Sequence, residues 1–510
     1  MRRWEVTSAT GRRAELAAIG LLLPILLTAQ NYVFGPNVRV NDDPPGASFH
    51  STYSPGQHLI SCRGDTVYLV WRDDRLGEAH VYFARSNDAG QTFLPNVRVD
   101  RSPSAGNPSI AVDDSGVIHV SFASVNSGNC VFAYYAKSAD GGRSFLPPVR
   151  ACDSLHMTQP GLPSIAVSKS GRNVFVARSE SRNDSYPAST YQIKLSRSTD
   201  GGQSFLRPDT RVCPDTWMNH YDPTVAVFND SIVLVAWVRD EDSVNGENTY
   251  FARSTDFGAT FEPPILLSDS TRPNYYIDPS IGVDSMGRVF VCFGGLSGVM
   301  VSSDTGRTFE VRPGEAYGEA LWVLEGGQLY IARTIGSSDH YVEFCYSPDA
   351  GETFMPPVEP RDTNYYYVWE SYPTVCANRE GKVFVAWSDN RNNPQSVNDD
   401  IYCATGSMAG IEEAGRLPGT RLECSVQPSP ARGPIRIDYQ LTSAGRTRID
   451  VLDQSGRSVA LLFDHVQQAG RFNLVWNGLD VRGNRADCGV YFIRLAAPAG
   501  CLTRKVVRIG

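Results

Sequence analysis

Clusters of aromatic and acidic residues are the strongest chemical feature of this 510-residue sequence. Each cluster stands directly before a short apolar run. Aromatic faces and planar polar groups suit a sugar ring, so we expect these residues to contact a glycan. The clusters are His220-Tyr221-Asp222, Tyr275-Tyr276-Ile277-Asp278, Tyr317-Gly318-Glu319 and the run 365–372, which contains Tyr365, Tyr366, Tyr367, Trp369, Glu370 and Tyr372.

A tyrosine beside a carboxylate could act as a nucleophile in such a cluster. The tyrosine hydroxyl has an ordinary pKa near 10, so it needs a carboxylate to activate it. We predict Tyr367 and Glu370 as this catalytic pair, with Asp222 as a third catalytic residue. Glycosidases with a tyrosine nucleophile are a known departure from the scheme with two carboxylates.

Arginines follow several of the predicted strands, and the guanidinium fork suits a carboxylate through paired hydrogen bonds. Structural roles remain the alternative, because tyrosines can pack neighbouring sheets and Arg–Asp pairs can be solvated ion pairs of little energetic value. The predicted ligand-binding residues are Tyr221, Tyr276, Asp278, Tyr365, Trp369, Arg72, Arg239 and Arg391.

No metal site or cofactor is predicted. The eleven cysteines include no C-x-x-C pair, and we expect most of them to be small buried core residues. The acidic loop 240–247 could hold Ca²⁺, but its spacing is not that of an EF-hand loop.

The element that must position these residues is the pattern S-x-D-x-G-x-[ST]-F, which occurs six times at intervals of about 50 residues. It predicts a tight turn between strands, in which Asp accepts backbone N–H bonds and Gly supplies a positive φ. We expect a structural role for its six aspartates, since turns spread round a repeat cannot all face one site. They are Asp88, Asp140, Asp200, Asp256, Asp304 and Asp349.

Four short strands surround each pattern, without helical periodicity, and four-stranded repeats of this length are typical of β-propeller blades. The β-branched runs number seven, which predicts an all-β, seven-bladed β-propeller, with six blades as the alternative. The segment 34–40 matches 93–99 at six of seven positions, so we expect it to complete the last blade and close the ring. The aromatic and acidic loops would then meet at the channel mouth.

The ends of the chain predict export and a second domain. Arginines followed by the apolar run 16–27 indicate a signal peptide over 1–30, with an uncleaved anchor as the alternative. We predict the propeller over 31–408, a linker over 409–421 and a small Ig-like β-sandwich over 422–510. The net charge of −8 gives no indication of a nucleic-acid partner.

The six repeats resemble the Asp-boxes, or bacterial-neuraminidase repeats, of the sialidase superfamily. This resemblance implies a sialidase-like protein, secreted or on the cell surface, that binds or processes glycans, with exo-α-sialidase-like glycoside hydrolysis if it is an enzyme. The F/Y-R-I-P segment of true sialidases is absent from the sequence. A non-catalytic secreted propeller that binds glycan or extracellular protein is therefore the alternative.

The C-terminal segment resembles the Ig-like domains that end many exported bacterial proteins, of the type IX sorting or flagellar-hook-capping type. Such domains serve export or surface attachment, so the resemblance implies secretion machinery as a partner and a protein that is not integral to the membrane. The matching residues are 453–457, Gly470, Trp476-Asn477-Gly478, Gly483, Gly489-Val490-Tyr491 and Thr503-Arg504-Lys505.

Overall fold

The computed structural model describes most of the chain beyond the first thirty residues. The described residues are 31–54, 56, 58–125, 131–153, 162–181, 191–213, 218–242, 246–268, 278–296, 298–314, 318–336, 340–362, 370–394, 398–408, 423–427, 430–441, 445–454, 457–467, 470–481, 484–497 and 500–509. The predicted signal peptide and linker lie outside them. Contacts divide the chain into two compact units, Met1–Glu412 and Glu413–Gly510.

The first unit consists of short antiparallel strands. The chain begins with β1 (Tyr32–Phe34) and β2 (Val38–Arg39). The first sheet holds β3 (His50–Ser51), β4 (Ile60–Arg63), β5 (Thr66–Asp73), β6 (His80–Ser86) and β7 (Val97–Arg98). The second holds β8 (Ser104–Val112), β9 (Ile118–Val125), β10 (Val131–Ser138) and β11 (Val149–Arg150). The third holds β12 (Ser164–Val167), β13 (Val174–Ser181), β14 (Tyr191–Ser198) and β15 (Thr210–Arg211).

Four further sheets follow the same order. The fourth holds β16 (His220–Phe228), β17 (Ile232–Asp242), β18 (Gly246–Ser254) and β19 (Ile265–Leu266). The fifth holds β20 (Ser280–Val283), β21 (Val289–Cys292), β22 (Gly298–Ser302) and β23 (Glu310–Pro313). The sixth holds β24 (Ala320–Val323), β25 (Leu329–Ile335) and β26 (Tyr341–Ser347). The seventh holds β27 (Glu370–Ala377), β28 (Val383–Asp389) and β29 (Asp400–Met408).

The last of these sheets takes its outer strands from the start of the chain. Phe34 of β1 pairs with Gly406 and Val38 of β2 pairs with Cys403, so both strands lie on the edge of β29. The predicted pairing of the N-terminal segment with the last sheet is confirmed. It covers a strand edge that would otherwise be open to association.

The innermost strands of the seven sheets follow one another in a closed order. Each contacts the next, from β4 through β8, β12, β16, β20 and β24 to β27, and β27 contacts β4. Apolar clusters fill the space between adjacent sheets, and Trp71, Trp237 and Trp387 are fully buried in them. The described residues form no α-helix, which confirms the all-β prediction, and the arrangement is propeller-like. Within them, no helix has the length and apolarity required to cross a membrane.

Each recurring pattern forms the turn after the third strand of its sheet. In the first, Asp88 accepts hydrogen bonds from the Ser86 hydroxyl (2.7 Å) and from the Thr92 amide (2.9 Å) and hydroxyl (2.6 Å). The same bonds recur in the other five turns. The glycine packs on the preceding sheet, because a Cβ at Gly142 would lie 2.3 Å from the Phe83 ring. These other five turns are centred on Asp140, Asp200, Asp256, Asp304 and Asp349.

The second unit contains two antiparallel sheets. One holds β30 (Glu423–Gln427), β31 (Ile435–Leu441) and β34 (Gly470–Trp476). The other holds β32 (Gly445–Leu452), β33 (Ser458–Gln467), β35 (Gly489–Ala497) and β36 (Gly500–Arg508). Ile437 and Trp476 from the first sheet share an apolar core with Ile449 and Ile493 from the second. The alternating apolar residues of this segment thus form a two-sheet sandwich.

Candidate functional site

Three of the innermost strands carry a strained residue near their start. Asn107, Asp222 and Tyr372 have φ angles of 51°, 47° and 53°, and each precedes a proline. Strand pairing shifts register at the same three places. Bulges of this kind re-aim side chains, and left-handed backbone at non-glycine residues is concentrated at functional sites. We therefore place the candidate functional site at the starts of the innermost strands.

The first sheet has a longer excursion at the equivalent place. Its innermost strand is split, because His50 of β3 pairs with Asp73 at the end of β5, whereas Ile60 of β4 pairs with Leu69 near its middle. The chain between β3 and β4 leaves the sheet. We call residues 52–59 the plug segment, of which 52–54, 56, 58 and 59 are described.

The plug segment lies among the innermost strands of four other sheets. The Thr52 hydroxyl donates to the Tyr372 carbonyl (2.7 Å), and the Ser280 hydroxyl donates to the Gly56 carbonyl (2.9 Å). The His58 carbonyl accepts from the Ile110 amide at 2.8 Å. His58 Nε2 lies 3.1 Å from the Thr224 hydroxyl, and burial lowers the pKa of His58 to about 4. The segment thus fills the centre of the ring with a neutral imidazole.

Two aspartates from neighbouring sheets lie in side-chain contact beside the plug segment. Asp222 lies on the bulge of β16, and Asp278 precedes β20. Burial raises the pKa of both, and their side chains hydrogen-bond to each other. Two ionised carboxylates in contact repel each other, so the arrangement favours a state in which one of the pair holds a proton.

A third carboxyl group and two tyrosines lie close to this pair. Burial, followed by the charge of Asp278, raises the pKa of Glu319 to about 7, although the Thr334 hydroxyl donates to it at 3.1 Å. The rings of Tyr53 and Tyr372 meet edge to face, with centroids 5.0 Å apart. Burial and then the charges of Asp222 and Asp278 raise the pKa of Tyr53. We define the mouth cluster as Tyr53, Asp222, Asp278, Glu319 and Tyr372.

The mouth cluster is strongly acidic. Glu247 adds a further negative charge near Asp222 and Tyr53. The described groups whose charges shift the pKa values within the cluster are all carboxyl groups or tyrosines. Such surroundings disfavour an anionic ligand and favour one that donates hydrogen bonds to carboxyl groups.

Glu370, predicted to be catalytic, lies apart from this cluster within the seventh sheet. It is 1% exposed, and one of its carboxylate oxygens accepts from the Val342 amide at 3.0 Å. Burial and then the charge of Asp389 raise the pKa of Glu370 to about 7. Its position in the sheet matches that of His50 and His220, since each pairs with the residue two beyond a buried tryptophan. Glu370 therefore contacts residues inside the sheets, whereas Asp222 belongs to the mouth cluster.

The three arginines predicted to bind a ligand differ in the contacts that they make within the protein. Arg239 donates to Glu241 (2.9 Å) and stacks over the Tyr250 ring at 4.1 Å. Arg391 donates to Asp389 (2.8 Å) and lies 4.0 Å from the centre of the Tyr402 ring. Arg72 is exposed and lies 5.4 Å from the Phe49 ring.

Of the predicted ligand-binding tyrosines, the structure describes Tyr221. Its hydroxyl lies 3.5 Å from Asp240, and its ring tilts against Tyr191 at 5.9 Å. The predicted residues Tyr276, Tyr365, Tyr367 and Trp369 lie outside the described residues. The sequence analysis missed Tyr53, which stands outside every repeat. The signal that could have found it is Ser54-Pro55-Gly56, a turn sequence inside what should have been the innermost strand of the first sheet.

Fold and site together define a propeller-like all-β protein that carries a separate C-terminal sandwich. Residues 426–500 match the family of the FlgD Ig-like domain, which confirms the resemblance of this segment to Ig-like domains of the flagellar-hook-capping type. No curated protein matches the chain.

Solved structures with similar folds share little sequence with this chain. One is a protein of unknown function from Dyadobacter fermentans, with 13% identity, a TM-score of 0.48, and 74% of this chain and 99% of that chain covered. Another is an ulvan lyase of polysaccharide lyase family PL25, with 12% identity, a TM-score of 0.46 and coverage of 70% and 94%. A Hadza microbial sialidase has 14% identity, a TM-score of 0.43 and coverage of 66% and 73%.

Proposed function

We propose that this protein binds and hydrolyses glycans at the mouth cluster, with the Asp222–Asp278 pair as its acid–base centre. The observation that carries the proposal is the side-chain contact between Asp222 and Asp278, two partly buried carboxyl groups from adjacent sheets whose pKa values are both raised. Buried carboxyl groups with raised pKa values can act as general acids at neutral pH.

The other members of the mouth cluster fit the same chemistry. Glycoside hydrolysis generally uses one carboxyl group to protonate the leaving oxygen and a second to act on the other side of the sugar. The shared proton of Asp222 and Asp278 supplies the acid, and Glu319 supplies the second carboxyl group. Tyr372 is 40% exposed and packs against Tyr53, so a sugar ring can stack on an aromatic surface there.

The substrate that suits this site is a neutral glycan or an amino sugar. The hydroxyl groups of a sugar can donate to carboxylates, and a protonated amine would be attracted to them. A sialoside brings a carboxylate of its own, which the ionised member of the Asp222–Asp278 pair and the nearby Glu247 would repel. Exo-α-sialidase activity is therefore the less favoured form of the sialidase-like activity that the sequence predicts.

The proposal also covers the architecture of the protein and its location outside the cell. We infer a seven-bladed propeller from the closed order of inner strands, followed by an Ig-like domain. The protein is exported through its N-terminal signal to the cell surface or medium. The Ig-like domain then contacts the secretion machinery, and the propeller meets glycan or extracellular protein.

A panel of fluorogenic glycosides tests the proposed substrate class. Neutral glycosides, amino-sugar glycosides and an α-sialoside are incubated with the mature protein from Asn31 onward, and a glycan array is run with the same sample. We expect turnover of a neutral or amino glycoside and none of the sialoside. Array binding without turnover would replace hydrolysis by the non-catalytic binding function, and turnover of the sialoside alone would overturn the assignment of substrate class.

A further inference from the structure

Two cysteines meet where the two ends of the ring come together. We call the join between the first and seventh sheets the seam, where β4 contacts β27. Cys62 lies on β4 and is half-buried, whereas Cys376 lies on β27 and is fully buried. Both are free thiols in this structure, and their side chains are in contact within one apolar cluster. The seam thus brings together two thiols that are more than three hundred residues apart in the chain.

Hydrogen bonds on both sides of the two cysteines hold their strands in register. On one side, the Leu59 amide donates to the Thr374 hydroxyl at 3.3 Å. On the other side, the Asn378 side-chain amide donates to the Gly64 carbonyl at 3.0 Å. These bonds lie two or three residues from each cysteine. The contact between the thiols is therefore fixed by the backbone of both strands.

The other sheets show that these two positions bring neighbouring innermost strands close together. In the fifth and sixth sheets the positions hold Gly282 and Val323, and a Cβ built on Gly282 would lie 2.9 Å from the Cβ of Val323. Cys376 is the equivalent of Gly282, because each pairs with a phenylalanine on the next strand of its sheet. Cys62 is the equivalent of Val323, because each pairs with the residue that begins the apolar run of the next strand. The Cβ atoms of a disulfide are about 3.5–4.5 Å apart, so these positions are close enough for one.

Apolar residues occupy the two positions at other joins, where they pack in the clusters between sheets. Among the innermost strands that the structure describes, cysteine fills both positions at the seam alone. The apolar pairs are Ala111 and Val167, Ala166 and Val227, Ala226 and Val283, and Trp322 and Ala377.

A third cysteine, Cys403 of β29, belongs to the same apolar cluster. The strand β28 lies between β27 and β29. Neighbouring strands are about 4.8 Å apart, so the backbone of Cys403 is about 10 Å from that of Cys376. A disulfide requires Cα atoms within about 7 Å of each other. Cys62 is therefore the partner that the geometry allows for Cys376.

The surroundings of the two thiols determine when they can react. Burial, followed by the contact with Cys62, raises the pKa of Cys376. Thiol–disulfide exchange requires a thiolate, so Cys376 exchanges slowly once the ring has closed around it. A bond between the two cysteines would form as the ring closes, and burial would then protect it from reductants.

We propose that Cys62 and Cys376 form a disulfide bond that closes the ring covalently at the seam. The two thiols lose two protons and two electrons to a protein disulfide of the export compartment, which is reduced to two thiols as the new S–S bond forms. The bond adds to the pairing of β1 and β2 with β29, which closes the outer part of the same seam. It stabilises the ring by restricting the unfolded chain between the two cysteines. The inference rests on the proposed export, because the cytoplasm keeps thiols reduced, and it is independent of the glycan chemistry at the mouth cluster.

Peptide mapping without reduction tests the proposed bond. The tag-free mature protein from Asn31 onward is directed to a bacterial periplasm by a host signal, denatured with iodoacetamide to block free thiols, and cut with trypsin. Trypsin places each of the three cysteines in its own peptide: Cys62 in 40–63, Cys376 in 362–379 and Cys403 in 392–416. We expect peptides 40–63 and 362–379 to be joined, and to separate on reduction.

A matched pair of variants tests what the bond does for the ring. In Cys62→Ala the new residue is the one that stands at the equivalent place in the seventh sheet, Ala377, so the strand can form. We expect this variant to lose the joined peptides and to melt at least about 3 °C below the wild type. Cys488→Ala, at an exposed cysteine of the second unit, is the control and should keep both the joined peptides and the melting temperature.

Three results would overturn the proposal. The first is a wild-type protein from the periplasm in which Cys62 and Cys376 are both blocked by iodoacetamide. The second is a link from peptide 362–379 to 392–416 instead of 40–63. The third is a Cys62→Ala variant that melts with the wild type, which would contradict covalent stabilisation of the seam. The peptide map of the wild type decides the first two even if the variant does not fold.

Discussion

Asp222 and Asp278 hydrogen-bond to each other through their side chains, although they come from different sheets. Asp222 reaches this position because the bulge of β16 holds it in left-handed backbone, and Asp278 because it stands two residues before β20. Burying two carboxyl groups in contact costs stability whenever both are ionised. A site with this cost is best explained by a chemical use for the shared proton.

Asp278→Asn should stabilise the protein at neutral pH. Unfolded aspartate has a pKa near 3.8, and folding raises the pKa of both Asp222 and Asp278. Their contribution to stability is full below about pH 4 and is lost as the pH rises through the folded values. Asparagine resembles the protonated acid, so we expect a gain of roughly 1–2 kcal/mol at pH 8 and little change at pH 4.

Chemical denaturation of both proteins at pH 4 and pH 8 measures this gain. Asp114→Asn, at an exposed turn between β8 and β9, is the matched control and should follow the wild type at both values. A variant that is less stable than the wild type at pH 8 would show that ionisation of the Asp222–Asp278 pair does not destabilise the folded protein.

Glu370→Gln should flatten part of the pH dependence of stability and leave activity within about twofold. The pKa of Glu370 rises from an ordinary 4.5 to about 7, so its contribution is present below pH 4.5 and is lost as the pH rises through about 7. Glutamine can keep the bond from the Val342 amide. Denaturation between pH 4.5 and 8, beside turnover assays, checks both. Loss of turnover with an intact fold would support the catalytic role that the sequence predicts for Glu370.

Arg391→Lys should destabilise the protein by about 1–3 kcal/mol without changing KM. Lysine cannot reproduce the paired bonds to Asp389 or the stacking over Tyr402. Thermal melting measures the contribution of Arg391 to stability, and steady-state kinetics measure its contribution to ligand binding. An unchanged melting temperature with a raised KM would support the ligand-binding role predicted from the sequence.

Asp256→Ala should cost roughly 1–2 kcal/mol, because the turn loses the bonds donated by Ser254 and Thr260. Burial alone would raise the pKa of Asp256, but the bonds from Thr260 and Ser254 outweigh it and lower the pKa to about 2. The contribution is therefore present above about pH 4 and is lost as the pH falls through about 2. Asp256→Asn, which keeps one acceptor oxygen, should cost less in the same denaturation experiment. Equal stability of Asp256→Ala and the wild type would contradict a structural role for this turn.

The repeats made much of the fold predictable, since the pattern centred on Asp88 specifies the same turn in every sheet. The match between 34–40 and 93–99 likewise predicted the strand that joins β29. The mouth was predictable only in part. Asp222 and Asp278 stand before prolines in repeated positions, which made them visible. Tyr53 belongs to an excursion that breaks the repeat, and the burial of Glu370 depends on packing against Val342 of another sheet.

The most direct test of the account is kcat/KM on the best substrate of the glycoside panel, for wild type, Asp222→Asn, Asp278→Asn and Asp114→Asn. Removing a general acid typically costs about 10²–10⁴-fold in rate. We predict a loss of at least about a hundredfold for each mouth variant, with circular dichroism unchanged and Asp114→Asn fully active. Mouth variants that fold and turn over substrate at the wild-type rate would contradict the account.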